Sequence, residues 1–270
     1  MRIYIMTDLE GVAGVLNHDD WCLPQSRHYD LARELLTGEV NAAVDGFFSG
    51  GATAITVADG HGAGAIHPVL LDPRVELMRG FGMGWPFLLD EGYDAVAWVG
   101  QHAKSGTPYA HIAHTQWFNY LDLSINGVSI GEFGQLALCA SELGVRSIFM
   151  SGDRAGCAEV QQLVPGIETV EVKRGTTPGS GDDLDTQAYR ARNTSAVHAH
   201  PDAARANIRA GAERAIRRAR QETFGLIPLV PPFERMARFR ADGETPPRTS
   251  VQRHPSSVIA VMNAPYHDAA

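Results

Sequence analysis

Arg2-Ile3-Tyr4-Ile5-Met6-Thr7-Asp8-Leu9-Glu10 is an apolar run of strand length that ends in two carboxylates. The next two segments of the chain decide the architecture. From His28 to Phe48 the residues Leu31, Leu35, Leu36, Val40, Val44, Phe47 and Phe48 recur at helical steps, and Gly50-Gly51 supplies a stop. Thr53 to Ala58 (TAITVA) is then short and β-branched. A buried strand at 2–7, a helix and a second strand make a βαβ unit, which predicts a parallel sheet.

The pattern continues along the chain. Asp94 to Gly100 (DAVAWVG) predicts a third strong strand, with a weaker one near Val75 to Met78. Tyr120 to Ile130 contains Asn126-Gly127, a hairpin signal. A helix is expected from Glu132 to Leu143, a strand over Arg146 to Ser151, a helix over Arg154 to Leu163 and a strand over Glu168 to Val172. Arg174 to Asp185 turns to Gly, Thr, Pro, Ser and Asp, which predicts a loop or linker of a length that suits an active-site lid. Ala203 to Glu222 is an Ala/Arg helix. Prolines 228, 231, 232, 246 and 247 break up the tail, where Val258 to Met262 is the one strand expected. The fold class is therefore α/β: a mostly parallel central sheet flanked by helices, as a metal-binding catalytic domain over 1–185. A smaller C-terminal α+β portion, 186–270, helical and irregular, is expected to pack on it.

At 270 residues, 44% apolar and 20% charged, the chain has ordinary globular usage. Its formal net charge of −8 argues against a nucleic-acid partner. The arginines between Arg205 and Arg220 are expected to form a solvated helix face. Cys22, Cys139 and Cys157 are odd in number and widely spaced, so neither a disulfide framework nor a thiolate zinc site is indicated. Reduced cysteines, an N-terminus without a signal-peptide core and the lack of any run approaching a membrane span make a cytoplasmic protein with no membrane partner the expectation.

In open α/β sheets the ligand crevice lies outside the carboxyl ends of the strands. Asp8 and Glu10 end the first strand, and on extended backbone their side chains share a face. Two carboxylates there are costly without a compensating cation, although a solvated loop or helix cap is the alternative. His61 ends the second strand in Asp59-Gly60-His61, with Asp59 placed to orient its ring; otherwise it is a structural or exposed histidine. His102 repeats that position after the 94–100 strand. Glu132 opens a helix, where the helix dipole alone would also favour it. Together these residues read as a carboxylate and imidazole cage for metal, with zinc favoured over manganese, cobalt or nickel. Five ligands exceed one tetrahedral zinc, so either two metals share a carboxylate or one member is not a ligand. His111 and His114 lie nearby in the sequence, placed for nucleophilic or acid/base work.

With those motifs in view, the chain resembles the binuclear zinc D-aminopeptidase family encoded in bacterial dipeptide-transport operons. The likeness runs over about residues 1–225. It rests on Met6-Thr7-Asp8-Leu9-Glu10-Gly11-Val12-Ala13-Gly14, Asp59-Gly60-His61-Gly62, Gly100-Gln101-His102-Ala103, Ala113-His114-Thr115, Ile125-Asn126-Gly127, Gly131-Glu132-Phe133-Gly134 and Ser151-Gly152-Asp153. The resemblance implies two zinc ions per subunit bridged by Asp8, with Glu10 and His102 completing one metal and His61 and Glu132 the other. It implies that His114 is the catalytic residue, while His111 has no counterpart. It further implies removal of an N-terminal residue, often D-configured, from short peptides, by a homo-oligomer that forms a ring-shaped decamer. Two other readings keep the cage: an amidohydrolase or L-/β-aminopeptidase, and a non-enzymatic metal-containing peptide-binding protein.

Overall fold

The computed structural model describes residues 1–82 and 84–267. In chain order the elements are β1 (Arg2–Thr7), α1 (His18–Trp21), α2 (Tyr29–Gly50), β2 (Ala54–Ala58), β3 (Glu76–Met78), β4 (Ala95–Gln101), β5 (Tyr120–Ile125), β6 (Val128–Ser129), α3 (Glu132–Glu142), β7 (Arg146–Asp153), α4 (Arg154–Leu163), β8 (Glu168–Gly175), α5 (Thr186–Arg192), β9 (Ala196–His198), α6 (Pro201–Ala219), β10 (Phe233–Phe239), β11 (Arg248–His254) and α7 (Val258–Asn263). A seven-stranded sheet has the order β3-β2-β1-β4-β7-β8-β9, parallel except for the antiparallel edge strand β9.

The central strands are apolar throughout because both faces are covered. Ile3, Ile5, Ala97 and Val99 face a core built with α2 and α6. Tyr4, Met6, Val96 and Trp98 point the other way, toward α3 and α4. Helices α2 and α6 approach closely at glycines: a Cβ on Gly46 would stand 2.2 Å from the Arg209 carbonyl oxygen, and one on Gly50 2.1 Å from Ile216 Cγ2. The arginines of α6 turn outward, where Arg209 pairs with Asp45 and Arg214 with Glu168. They form the solvated face expected of them.

A second, antiparallel sheet has the order β11-β10-β5-β6. Its β5–β6 hairpin turns at Asn126 and Gly127, with φ of 50° and 77°, the paired positive angles that an Asn-Gly turn supplies. Helix α3 joins the two sheets: Leu136 and Ala137 enter the core of the parallel sheet, and Leu138 and Cys139 that of the antiparallel one. Glu132, at the start of α3, is thereby fixed between them.

The tail departs from expectation. Two strands, β10 and β11, occupy it, and Phe233, Arg235, Ala237 and Phe239 alternate as the buried face of β10. Arg235 obscures that pattern in the sequence. It is buried because its guanidinium donates to Gln252 Oε1 and to the carbonyls of Met262 and Ala264. Val258 to Met262, expected as a strand, is helix α7. Ser257 caps it through the Ala260 N–H, and the Glu142 carboxylate accepts from the N–H groups of Val258 and Ile259, so tertiary capping overrides β-branched propensity. The polar connection is also shorter than expected. β8 runs through Gly175, and Asp185 caps α5 by accepting from Ala188 N at 2.8 Å.

Glycines let the strand ends under the crevice crowd together. Gly100 has φ +81°, and a Cβ there would stand 2.0 Å from the Asp8 carbonyl oxygen; one on Gly11 would stand 2.1 Å from the Gln101 carbonyl oxygen. Gly100→Ala is therefore expected to cost about 3 kcal/mol or more, from positive-φ strain plus a backbone clash. That lowers the thermal midpoint by roughly 6–12 °C. A calorimetric scan showing a shift below about 2 °C would contradict this close approach.

Candidate metal centre

β2 and β4 flank β1, so their carboxyl ends bring His61 and His102 to either side of Asp8. Asp8 Oδ1 lies 3.1 Å from His61 Nδ1, and Oδ2 lies 3.2 Å from His102 Nε2. Each carboxylate oxygen thus serves a different imidazole. Glu10 Oε2 is 3.0 Å from His61 Nδ1, and Glu132 Oε1 is 3.5 Å from His102 Nε2 and 3.7 Å from His114 Nε2. Two groups result, Asp8/Glu10/His61 and His102/His114/Glu132, each with ligand atoms within 4.8 Å of one another. The resemblance implies Glu10 with His102 and Glu132 with His61; in this geometry Glu10 lies beside His61, and Glu132 beside His102.

Backbone carbonyls orient the rings. His61 Nε2 meets the Cys22 carbonyl at 2.7 Å, leaving Nδ1 for the cluster. His102 Nδ1 meets the Ala103 carbonyl at 2.9 Å and His114 Nδ1 the Ile112 carbonyl at 2.8 Å, leaving Nε2 in both. Asp59, expected to orient His61, does not do so. Its carboxylate accepts from Ala65 N and Ile66 N and pairs with Arg79.

Burial opposes charge on all these groups, yet the charges hold one another. Burial pushes the His61 and His102 imidazoles down, but Glu10 with Asp8, and Glu132 with Asp8, hold them well above their ordinary values. Burial pushes the carboxyls up, but His102 and His61 keep Asp8 well below the usual range, and His61 lowers Glu10. His114 differs: burial and the neighbouring His102 push it down, so it is neutral. Its ring stacks on His102 at 4.1 Å and on Phe118 at 4.5 Å.

The donor set fits a cation. Glu10 Oε2 and His102 Nε2 are buried with no aligned hydrogen-bond partner, although ion-pair contacts lie near both. Buried oxygen and nitrogen atoms facing one another need a shared proton or a bound cation between them. Imidazole and carboxylate without sulfur suit zinc, and also manganese, cobalt or nickel.

Further residues near the cluster are placed by the fold. Gln101 Nε2 donates to Asp8 Oδ2 at 3.2 Å, and Gln116 N donates to Glu132 Oε1 at 2.7 Å. His18 is buried on α1, its Nε2 4.0 Å from Glu10 Oε1 and its ring edge-on to Trp117 and Phe118. The Asn17-His18-Asp19-Asp20 helix start, with Asn17 capping Asp20 N, is the sequence feature that marks it. His111 lies apart from this geometry. It is fully buried, its Nε2 contacts the Leu16 carbonyl, and desolvation pushes its pKa down to about 2. A neutral structural histidine is the result.

The cluster floors a cavity of about 570 Å³ whose walls include Phe81, Trp85, Phe87 and Trp117. The size matches small-ligand sites. Among the described residues, no helix is long and apolar enough to cross a membrane.

A D-aminopeptidase from Bacillus subtilis (strain 168) is 29% identical over 179 residues, which is 64% of this chain and 64% of that protein's length. The solved structure described as "Zn-dependent D-aminopeptidase DppA from Bacillus subtilis, a self-compartmentalizing protease" superposes with a TM-score of 0.80 at 20% identity, covering 97% of this chain and 95% of that one. It has the same fold. The family model for M55 peptidases, described as D-aminopeptidase, matches residues 1–246, past where the sequence resemblance fades and through β10. The chain belongs to the M55 peptidase family, the D-aminopeptidases.

Proposed function

We propose that this protein is a zinc aminopeptidase that removes the N-terminal residue, D-configured, from short peptides, with two metals held at Asp8. The observation that carries this reading is the division of Asp8 between two imidazole groups at the floor of one cavity. Asp8, Glu10 and His61 would hold one zinc, and Asp8, His102 and Glu132 the other. Zinc at such a site supplies Lewis acidity and water of lowered pKa.

The chain's own groups supply the rest. His114 is neutral, with Nδ1 engaged by the Ile112 carbonyl, so its proton-accepting atom is Nε2, on the side of Glu132. From there it takes a proton as the nucleophile forms and returns it to the leaving amine. Phe118 and Trp117 pack around His18 and His114 and keep bulk water from that proton path. One observation favours a second assignment: His114 falls within the His102/Glu132 ligand group and is placed to be a ligand itself.

The free, buried Cys22, Cys139 and Cys157 fit a reducing, cytoplasmic setting. The relative titled self-compartmentalizing supports a closed homo-oligomer here, with the decamer as the number the resemblance implies.

Turnover of D-, L- and β-aminoacyl dipeptides by the zinc-loaded protein tests the reading. The D-series should exceed the L-series in kcat/KM by about tenfold or more, the difference about 1.4 kcal/mol of fit would produce. Hydrolysis confined to L-peptides would overturn the stereochemical part, and none in any series the hydrolytic part.

A further inference from the structure

The cavity above the cluster contains a cation that the hydrolytic chemistry does not use. Among the described residues, Arg79 is the one lysine or arginine side chain that lines it. Arg79 follows β3 at its carboxyl end, beside β2, the strand that leads to His61. Its Nε lies 3.0 Å from Asp59 Oδ2, while the side chain stays 43% exposed.

Asp59 is itself rigidly held. Its Oδ1 accepts from Ala65 N at 2.6 Å and Ile66 N at 3.1 Å, and its N–H donates to the carbonyl of Met78, the residue before Arg79. A buried carboxylate therefore sits against the guanidinium at Nε, and the side chain lines the cavity while staying partly exposed. A guanidinium fixed this way offers a planar fork that matches a carboxylate.

We propose that Arg79 binds the C-terminal carboxylate of the substrate, so that the site selects free di- and tripeptides over amidated or longer chains. This rests on the peptidase reading above and adds the substrate class to it. The reacting bond occupies the Asp8 end of the cavity, and the far carboxylate needs a cationic partner of its own. β3 stands two strands from β1, so their ends lie on the order of 10 Å apart. A peptide spans about 3.5 Å per residue, and with the reach of the arginine side chain two or three residues fill that distance. Between the two ends the wall is aromatic, with Phe81, Trp85 and Phe87 available to the side chain beyond the scissile bond.

The test compares D-alanyl-glycine with D-alanyl-glycinamide on zinc-loaded wild type, Arg79→Gln and Arg79→Lys. Wild type should favour the acid by about tenfold or more, the range of one charge-assisted contact. Arg79→Gln should lower kcat/KM tenfold or more for the acid, through KM, and less than threefold for the amide, and Arg79→Lys should recover part of the loss. A merely structural Arg79–Asp59 pair would make both substrates fall together, which would overturn the proposal, as would a wild type indifferent to the carboxylate. If wild type cleaves neither compound, the hydrolytic reading fails by itself. Calorimetric titration of the same two ligands then decides: acid binding weakened tenfold in Arg79→Gln with amide binding little changed supports the carboxylate site, and equal or absent binding overturns it.

Discussion

Asp8→Ala is expected to lower kcat/KM by about 10⁴-fold or more, equivalent to about 5 kcal/mol of transition-state stabilisation. The size of the effect comes from the position of its carboxylate. Oδ1 faces His61 and Oδ2 faces His102, so one substitution removes the group that both halves of the centre share. Glu10 cannot replace it, since its contacts are with His61 and His18. The variant leaves two buried imidazoles without their common counter-charge, and circular dichroism should show that the fold survives. Asp8→Asn keeps the shape and removes the charge, and it should lose nearly as much. Retention of more than a tenth of wild-type kcat/KM by either variant would mean that Asp8 is a structural acid.

His114→Ala is the second large effect, with an expected loss of about 10²- to 10⁴-fold, the usual worth of a positioned acid/base group. Its metal content should equal that of wild type, which separates a proton-transfer role from a ligand role. The histidine is held for the first role by the Ile112 carbonyl on Nδ1 and by stacking between His102 and Phe118. Added imidazole should restore part of the rate, because the ring leaves a buried space above Glu132. A variant that loses metal along with activity would make His114 a ligand. A variant with near-wild-type turnover would remove it from the mechanism.

The sequence is legible where chemistry directly follows an apolar strand. Asp8, His61 and His102 each come just after such a run, and strands β1, β2 and β4 end where the β-branched and apolar patterns stop. Pairing is not legible in this way, because it depends on which strands are neighbours. The order β3-β2-β1-β4 puts β2 and β4 on opposite sides of β1, so His61 and His102 approach Asp8 from either side. Glu132 reaches His102 because α3 packs against β4 and β7.

The second sheet is harder to read for a different reason. Arg235 sits on the inward face of β10, and its solvation is replaced by Gln252 and two carbonyls that lie 17 to 29 residues away. No local pattern marks such a residue as buried. Helix α7 has a local cap in Ser257, but the Glu142 carboxylate that accepts from Val258 N and Ile259 N comes from another helix.

If Asp8 joins two metal positions, the zinc bound per chain must reflect both. After dialysis to remove loosely held ions, plasma mass spectrometry should find two equivalents in wild type, one for each ligand group, and well under one in Asp8→Ala. A wild type that holds one equivalent or none, or an Asp8→Ala protein that keeps both, would contradict the account.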